Sequence, residues 1–310
     1  MEPEVSPQVE KAIASLDSKS QPLAVSGLVY LSDLKPTEME LFKRTWAAIK
    51  PLRRRQIINW LAEMAEDNVE LNFDRLFRYC LKDGDSQVRS RAIDGLWENE
   101  EASLINPLLD LLEEDSSASI QASAATALGR FALLAELDEL RSSHAARVGN
   151  ALLAAVSDDS KAPEVRGRAL EAAAPLSRPE VTSAISTAYG RPGFKASAIH
   201  AMGKNCSRRW LPVLLEELAS TDAEVRYEAA ACGELGDAEA VPQLTRLTGD
   251  PDVEVQIAAI QALGRIGGRE AKKHLKRCLA HPGQAVHEAA ELALDEAEAA
   301  ESPLLFWRTI

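Results

Sequence analysis

The chain has 310 residues, 46% of them hydrophobic but only 5% aromatic, and a formal net charge of −13. Its apolar mass is therefore mostly Ala and Leu, which suits closely packed helices, and so acidic a molecule is not, as a whole, a nucleic-acid or membrane-surface binder, although a local basic patch remains compatible with it. No apolar stretch reaches membrane-spanning length, M-E-P-E-V-S-P lacks an export signal's basic and apolar regions, and Cys80, Cys206, Cys232 and Cys278 are scattered; a cytoplasmic protein with reduced cysteines is expected.

Residues 1–26 are polar, with Ser and Pro, and are expected to form a flexible leader in which Val9–Leu16 is the one stretch able to make a short helix. Residues 27–84 are expected to be a helical capping region. Leu28, Tyr30, Leu31 and Leu34 anchor an extended segment, and T-E-M-E from Thr37 to Glu40 reads as a capping box opening a helix to Lys50 with Leu41, Phe42 and Trp46 inward. A second helix runs from Leu52 to Asp67 on Ile57, Ile58, Leu61 and Met64. A third, capped by Asn72, carries Phe73, Leu76, Phe77, Cys80 and Leu81.

An internal repeat occupies 85–301. Seven apolar anchors, Val88, Ile120, Val165, Phe194, Val225, Val255 and Val286, are separated by 32, 45, 29, 31, 30 and 31 residues. Four positions after each stands an alanine: Ala92, Ala124, Ala169, Ala198, Ala229, Ala259 and Ala290. Such a period is the signature of stacked helical hairpins, each needing its neighbours to bury both apolar stripes. Asp85, Asp222 and Asp252 are read as N-caps. Gly129, Gly203, Gly233, Gly236 and Gly264 are read as ending first helices, and second helices fall over 104–112, 148–156, 181–185, 210–218, 240–247 and 271–279. The long interval holds extra residues at 131–147, expected to lengthen a helix or form a side loop. The apolar tail 302–310, with P-L-L-F-W-R-T-I, is expected to fold over the last hairpin or to serve as a docking peptide.

The stretches D-A-E-V-R-Y-E-A-A, A-A-T-A-L-G-R-F and A-A-I-Q-A-L-G-R-I-G-G resemble the HEAT-like repeats first described in phycobilin lyases, which also occur in deoxyhypusine hydroxylase and in bacterial HEAT-repeat proteins. The resemblance covers about residues 28–300 and implies an all-α, right-handed α-solenoid of HEAT-like hairpins with second helices on the concave side. For function it is weak, because sites rather than folds carry activity. The hydroxylase binds two irons through His-Glu dipeptides that follow the Val-Arg of its repeats. Here the one His-Glu, His287-Glu288, is shifted onto the Arg position, and Val225-Arg226 is followed by Tyr227-Glu228. No metal or other cofactor is expected. His274, Cys278 and His281 share ligand-like spacing, but Cys278 lies on an apolar stripe and His281 at a Pro-Gly break. No phosphate-cradling Gly loop or serine nucleophile elbow is present.

The residues following the anchors, Arg89, Gln121, Arg166, Lys195, Arg226, Gln256 and His287, form a polar ladder, read as ion pairs and caps that set the stacking. On the second helices the exposed positions run from acidic (Asp110, Glu113, Glu216, Glu217) to basic (Arg246, Lys272, Lys273, Lys276, Arg277), a surface suited to a protein or peptide of opposite polarity. A second candidate is the basic patch Lys43, Arg44, Lys50, Arg53, Arg54 and Arg55, suited to an acidic partner or phosphate. Gln284–Glu301 is acidic throughout, so contact between the two ends of different copies is the route by which an otherwise monomeric chain would self-associate. The expected function is a non-enzymatic scaffold or adaptor binding a protein partner. The alternatives are an enzyme or enzyme subunit of the lyase or hydroxylase kind, or a phosphate or nucleic-acid binder through the basic patch.

Overall fold

The computed structural model describes residues 5–17, 25–232 and 238–300; Gly233, Gly236 and the apolar tail lie outside them. The first helix, α1 (Pro7–Leu16), lies within the expected flexible leader. Ser6 caps it by accepting the Val9 N–H at 3.4 Å, and Val9, Ala12, Ile13 and Leu16 are all buried. The stripe has helical spacing, and the face that shelters it is supplied by α2 (Pro36–Ala48). Between them Val25–Leu31 is a 3₁₀ helix rather than an extended segment, with Leu28, Leu31 and Leu34 buried and Tyr30 exposed. Three-residue spacing of the buried leucines is the period of that helix.

The capping box sits two residues earlier than expected. Glu38, not Glu40, closes the turn by accepting the Lys35 N–H at 2.8 Å, and its other oxygen accepts the Ser6 N–H at 3.3 Å, tying α1 to α2. The inward residues of α2 are accordingly Met39, Phe42 and Trp46. In α3 (Pro51–Asp67) they are Ile57, Ile58, Leu61 and Ala62. Asn72 accepts the Asp74 N–H at the start of α4 (Asp74–Cys80), and the five inward residues expected there are buried.

Hairpins follow as α5 (Ser86–Asp94) and α6 (Ile105–Glu114), α7 (Ala118–Glu136) and α8 (Ser142–Ser157), α9 (Pro163–Ala173) and α10 (Pro179–Tyr189), and α11 (Lys195–Lys204) and α12 (Leu211–Glu217). They continue as α13 (Ala223–Ala231) and α14 (Val241–Leu247), α15 (Val253–Ile266) and α16 (Gly268–Cys278), and close on α17 (Gln284–Ala300). The described residues contain no strand. All seven repeat alanines are buried, as are all anchors but Phe194, which is partly exposed. Asp85, Asp222 and Asp252 cap α5, α13 and α15 through backbone N–H groups, as their positions predict.

Of the glycines nine residues after an anchor, Gly203 and Gly264 fall one and two residues before their helices end, and Gly129 falls seven residues before. Gly129 lies within α7, and Gly203 and Gly264 lie within α11 and α15. At Gly264 a Cβ would stand 2.8 Å from the Cβ of Ala293 on α17 and 2.9 Å from that residue's Cα; at Gly203 it would collide with the Cys232 sulfur. Gly203 and Gly264 thus let first helices of adjacent repeats touch. The backbone turns instead at Gly267 and Gly268, with φ of 63° and 79°, where a side chain would be strained.

The chain divides into two compact units, Met1–Phe131 with Leu140–Val148, and Ala132–Glu139 with Gly149–Ile310. The division falls in the 45-residue interval, whose extra residues lengthen α7 and α8 to 19 and 16 residues. In the first unit α5 packs on α3 and α4. In the second, α9, α11, α13, α15 and α17 pack in succession, with α14 on α16. Both are built of stacked helical hairpins.

Candidate functional site

The polar ladder is an internal device with a fixed geometry. Arg89, Gln121, Arg226 and Gln256 each donate to the carbonyl six residues earlier, of Asp83, Asp115, Ser220 and Asp250, at 2.6–2.9 Å. Each bond satisfies a carbonyl of the turn that follows the preceding helix. The two arginines also reach forward. Arg89 holds Asp115 with two N–H donors at 2.7 and 2.8 Å, and Arg226 holds Asp250 at 2.8 and 2.9 Å. Asp115 and Asp250 stand five residues before the next anchor, so each pair joins consecutive repeats. The Arg226 guanidinium keeps the Asp250 carboxyl below the ordinary carboxylate range, its bond outweighing the effect of burial. The partner aspartates are visible in the sequence only once the five-residue offset is known.

The same chemistry absorbs much of the N-terminal basic patch. Arg54 pairs with buried Asp83 at 2.9 Å, which also accepts the Trp46 indole N–H at 2.8 Å, and Arg55 makes a two-toothed pair with Asp85. Arg53 donates to Leu16 O, and Lys43 pairs with Glu40. Arg44 and Lys50 are exposed. The patch is continuous in sequence, but its central arginines hold α3 to the loop before α5.

On the second helices Asp110 and Glu113 of α6 are exposed, and Asp110 borders a cleft of about 440 Å³ with Glu114, Arg89 and Lys82. In the second unit Glu216, Arg246, Lys273, Lys276 and Arg277 are exposed, and Lys272 is half-buried. Glu216, Arg246 and Arg277 each stand nine residues before an anchor and so share one register on α12, α14 and α16. Neither Lys276 nor Arg277 makes an ion pair among the described residues, and Lys273 meets Glu270 only at 4.0 Å. Glu217 does not belong to this surface. It is 5% exposed, accepts a short hydrogen bond from the Tyr189 hydroxyl, and pairs with Lys195 at 2.7 Å. Burial would raise its carboxyl, and Lys195 and Tyr189 together bring it below the usual value, while the same bond pushes the Tyr189 hydroxyl up to about 12.

Four of the five histidines meet protein partners, while the buried Nδ1 of His144 has none among the described residues. His287 Nδ1 lies 2.8 Å from Leu279 O and its Nε2 faces Glu291; His274 Nε2 meets the Thr248 hydroxyl at 2.8 Å; His281 Nδ1 accepts the Gly283 N–H. His200, which has no acid near it in sequence, meets Glu228 of the next repeat at 2.9 Å, and that bond raises its pKa. Among the described residues no three His, Cys, Asp or Glu side chains are grouped to hold a metal ion. None of their helices is long and apolar enough to cross a membrane.

A second cleft, of about 600 Å³, opens in the second unit between α8 and α10. Leu153, Leu170, Ala184, Ala188 and Phe194 line it with Arg166 and Arg191. No sequence reading singled it out.

A family profile described as HEAT repeats matches residues 73–148 and 211–295, more than half of the chain. Yeast importin-beta is similar in structure, with a TM-score of 0.55 at 12% identity over 96% of this chain and 47% of that one. The CpcE–CpcF complex of phycocyanin lyase from Nostoc sp. gives 0.48 at 16% identity, covering 72% and 94%. Human deoxyhypusine hydroxylase gives 0.37 at 18% identity, covering 94% and 96%. No curated protein matches the sequence.

Proposed function

The chain belongs to the HEAT-repeat family, and from that premise we propose that it is a non-enzymatic scaffold or adaptor that binds an acidic segment of a partner protein. The face concerned is that of α14 and α16. The observation that carries this reading is the exposed basic face of Arg246, Lys273, Lys276 and Arg277 on a chain of net charge −13, where Lys276 and Arg277 make no ion pair among the described residues and Lys273 makes only one at 4.0 Å. Structural ion pairs elsewhere in the fold have found their acids, so cations left without one on a regular helix face are available to a partner. Such a surface contributes chiefly to encounter rate and orientation. The N-terminal basic stretch is the weaker candidate, since Arg54 and Arg55 are already held by Asp83 and Asp85.

The test is titration of the protein with a labelled peptide of alternating Glu and Leu, followed by fluorescence anisotropy between 50 and 300 mM salt. Binding that weakens with salt and drops at least tenfold in the triple variant Lys273→Glu, Lys276→Glu, Arg277→Glu is expected. Equal affinity in wild type and variant would remove the reading. So would tighter binding of a single-stranded oligonucleotide than of the peptide, since that would assign the face to phosphate.

A further inference from the structure

In two repeats the arginine after the anchor is closed by a buried aspartate of the following repeat, Arg89 by Asp115 and Arg226 by Asp250. The repeat anchored at Val165 has the arginine, Arg166, but Tyr189 stands at the aspartate position and turns its hydroxyl to Glu217. Arg166 is therefore held differently. Its side chain, 10% exposed, donates to Val156 O at 3.1 Å, stacks 5.2 Å from the centre of the Phe194 ring, and pairs at 2.7 Å with Asp159. Asp159 belongs to the loop between α8 and α9, and its side chain is 82% exposed. Arg191, half exposed, reaches the same carboxylate only at 3.8 Å. These two guanidinium groups line the cleft between α8 and α10, whose wall is apolar at Leu153, Leu170, Ala184, Ala188 and Phe194 and polar at Ser157, Ser183 and Thr187.

We propose that this cleft is a binding site for a monocarboxylate with an apolar body. The body lies on Leu153, Leu170, Ala184, Ala188 and Phe194, and the carboxylate takes the place of Asp159 between Arg166 and Arg191. Guanidinium groups fit carboxylates with paired N–H donors, and Arg166 is already fixed by a carbonyl and a ring, so little freedom is lost on binding. An apolar pocket of several hundred cubic ångströms with a few convergent polar groups is the usual anatomy of a small-ligand site. Displacing Asp159 costs little, because an ion pair with so exposed a partner contributes little. Glu180, the one acidic residue lining the cleft, disfavours a second negative charge on the ligand.

Calorimetric titration of the intact protein tests this with two pairs of probes: octanoate against octanamide, and a tetrapeptide ending in leucine with a free terminus against its C-terminal amide. At least one carboxylate is expected to bind, its amide at least tenfold more weakly. Octanoate alone would point to a free acid and the peptide alone to a chain terminus. Arg191→Gln and Ala184→Trp should each weaken binding tenfold or more with helicity unchanged by circular dichroism. Asp159→Asn should tighten it several-fold by removing the competing carboxylate, an effect that a merely structural disturbance would not produce. The inference is overturned if neither carboxylate binds at millimolar concentration, if the amides bind equally well, or if the three variants behave as wild type.

Discussion

At the scale of the residue, Arg89 with Asp115 and Arg226 with Asp250 are the two shielded, doubly hydrogen-bonded links between repeats among the described residues. Both side chains of the second pair are largely shielded, 13% and 5% exposed, and the pair is closed by two parallel hydrogen bonds. Removing one partner from such a pair leaves a buried charge uncompensated, which costs more than the pair itself contributes. Arg226→Ala should therefore lower stability by about 3 kcal/mol at neutral pH, read from urea denaturation. The sign with pH is set by Asp250. Its folded pKa lies below the unfolded value, chiefly because of the bond to Arg226, so its contribution is present above the unfolded pKa of about 3.9 and is lost as pH falls through the folded one. The deficit of Arg226→Ala relative to wild type should then hold between pH 7 and 5 and shrink below pH 4. A deficit independent of pH would mean that the cost comes from lost packing of the arginine stem.

At the scale of the element, a small residue at a helix contact has opposite effects on propensity and on packing. Gly to Ala inside an exposed helix stabilises by roughly 0.5–1 kcal/mol. At Gly264 the added methyl would press on the backbone of α17, with Ala293 Cα and O both at 2.9 Å. That is helix against helix, with no side chain to swing aside. Gly264→Ala should therefore destabilise, by about 1–3 kcal/mol as overpacking usually does, whereas Gly27→Ala, which meets nothing within 4 Å, should be neutral or slightly stabilising. Thermal melts of the two variants decide this, and a Gly264→Ala protein as stable as Gly27→Ala would contradict it. The same contact shows why the role of the alanines is legible in the sequence and that of the glycines is not. Ala at the fourth position means close packing wherever it recurs, but Gly near a helix end has an obvious local meaning as a stop, and its actual neighbour, Ala293, is in the next repeat. For α1 the stripe was legible but not the α2 face that buries it. At the candidate site the arginines are legible as a ladder, but nothing local marks Asp115 as a partner, and Asp250 is hidden beside the N-cap Asp252.

At the scale of the molecule, packing runs from each first helix to the next, α9 to α11, α13, α15 and α17, within a unit distinct from that holding α1–α6. In such an array the stability of a hairpin depends on its own helices and on its nearest neighbours, so a local fault spreads only as far as the interfaces it weakens. Gly264→Ala disturbs the interface of α15 with α17. Hydrogen exchange read by mass spectrometry should accordingly speed up most in α15 and α17, less in α13, and least in α9. Amides of α4, α5 and α6 should exchange at wild-type rates. Uniform acceleration across the chain would instead show one cooperative unit. The distinction matters for the proposed partner face, because Arg246, Lys273, Lys276 and Arg277 lie on α14 and α16, beside that interface. A variant that loosens α15 against α17 should therefore weaken binding of the acidic peptide while leaving the cleft between α8 and α10 able to take its ligand, so the two sites can be separated by a substitution in neither.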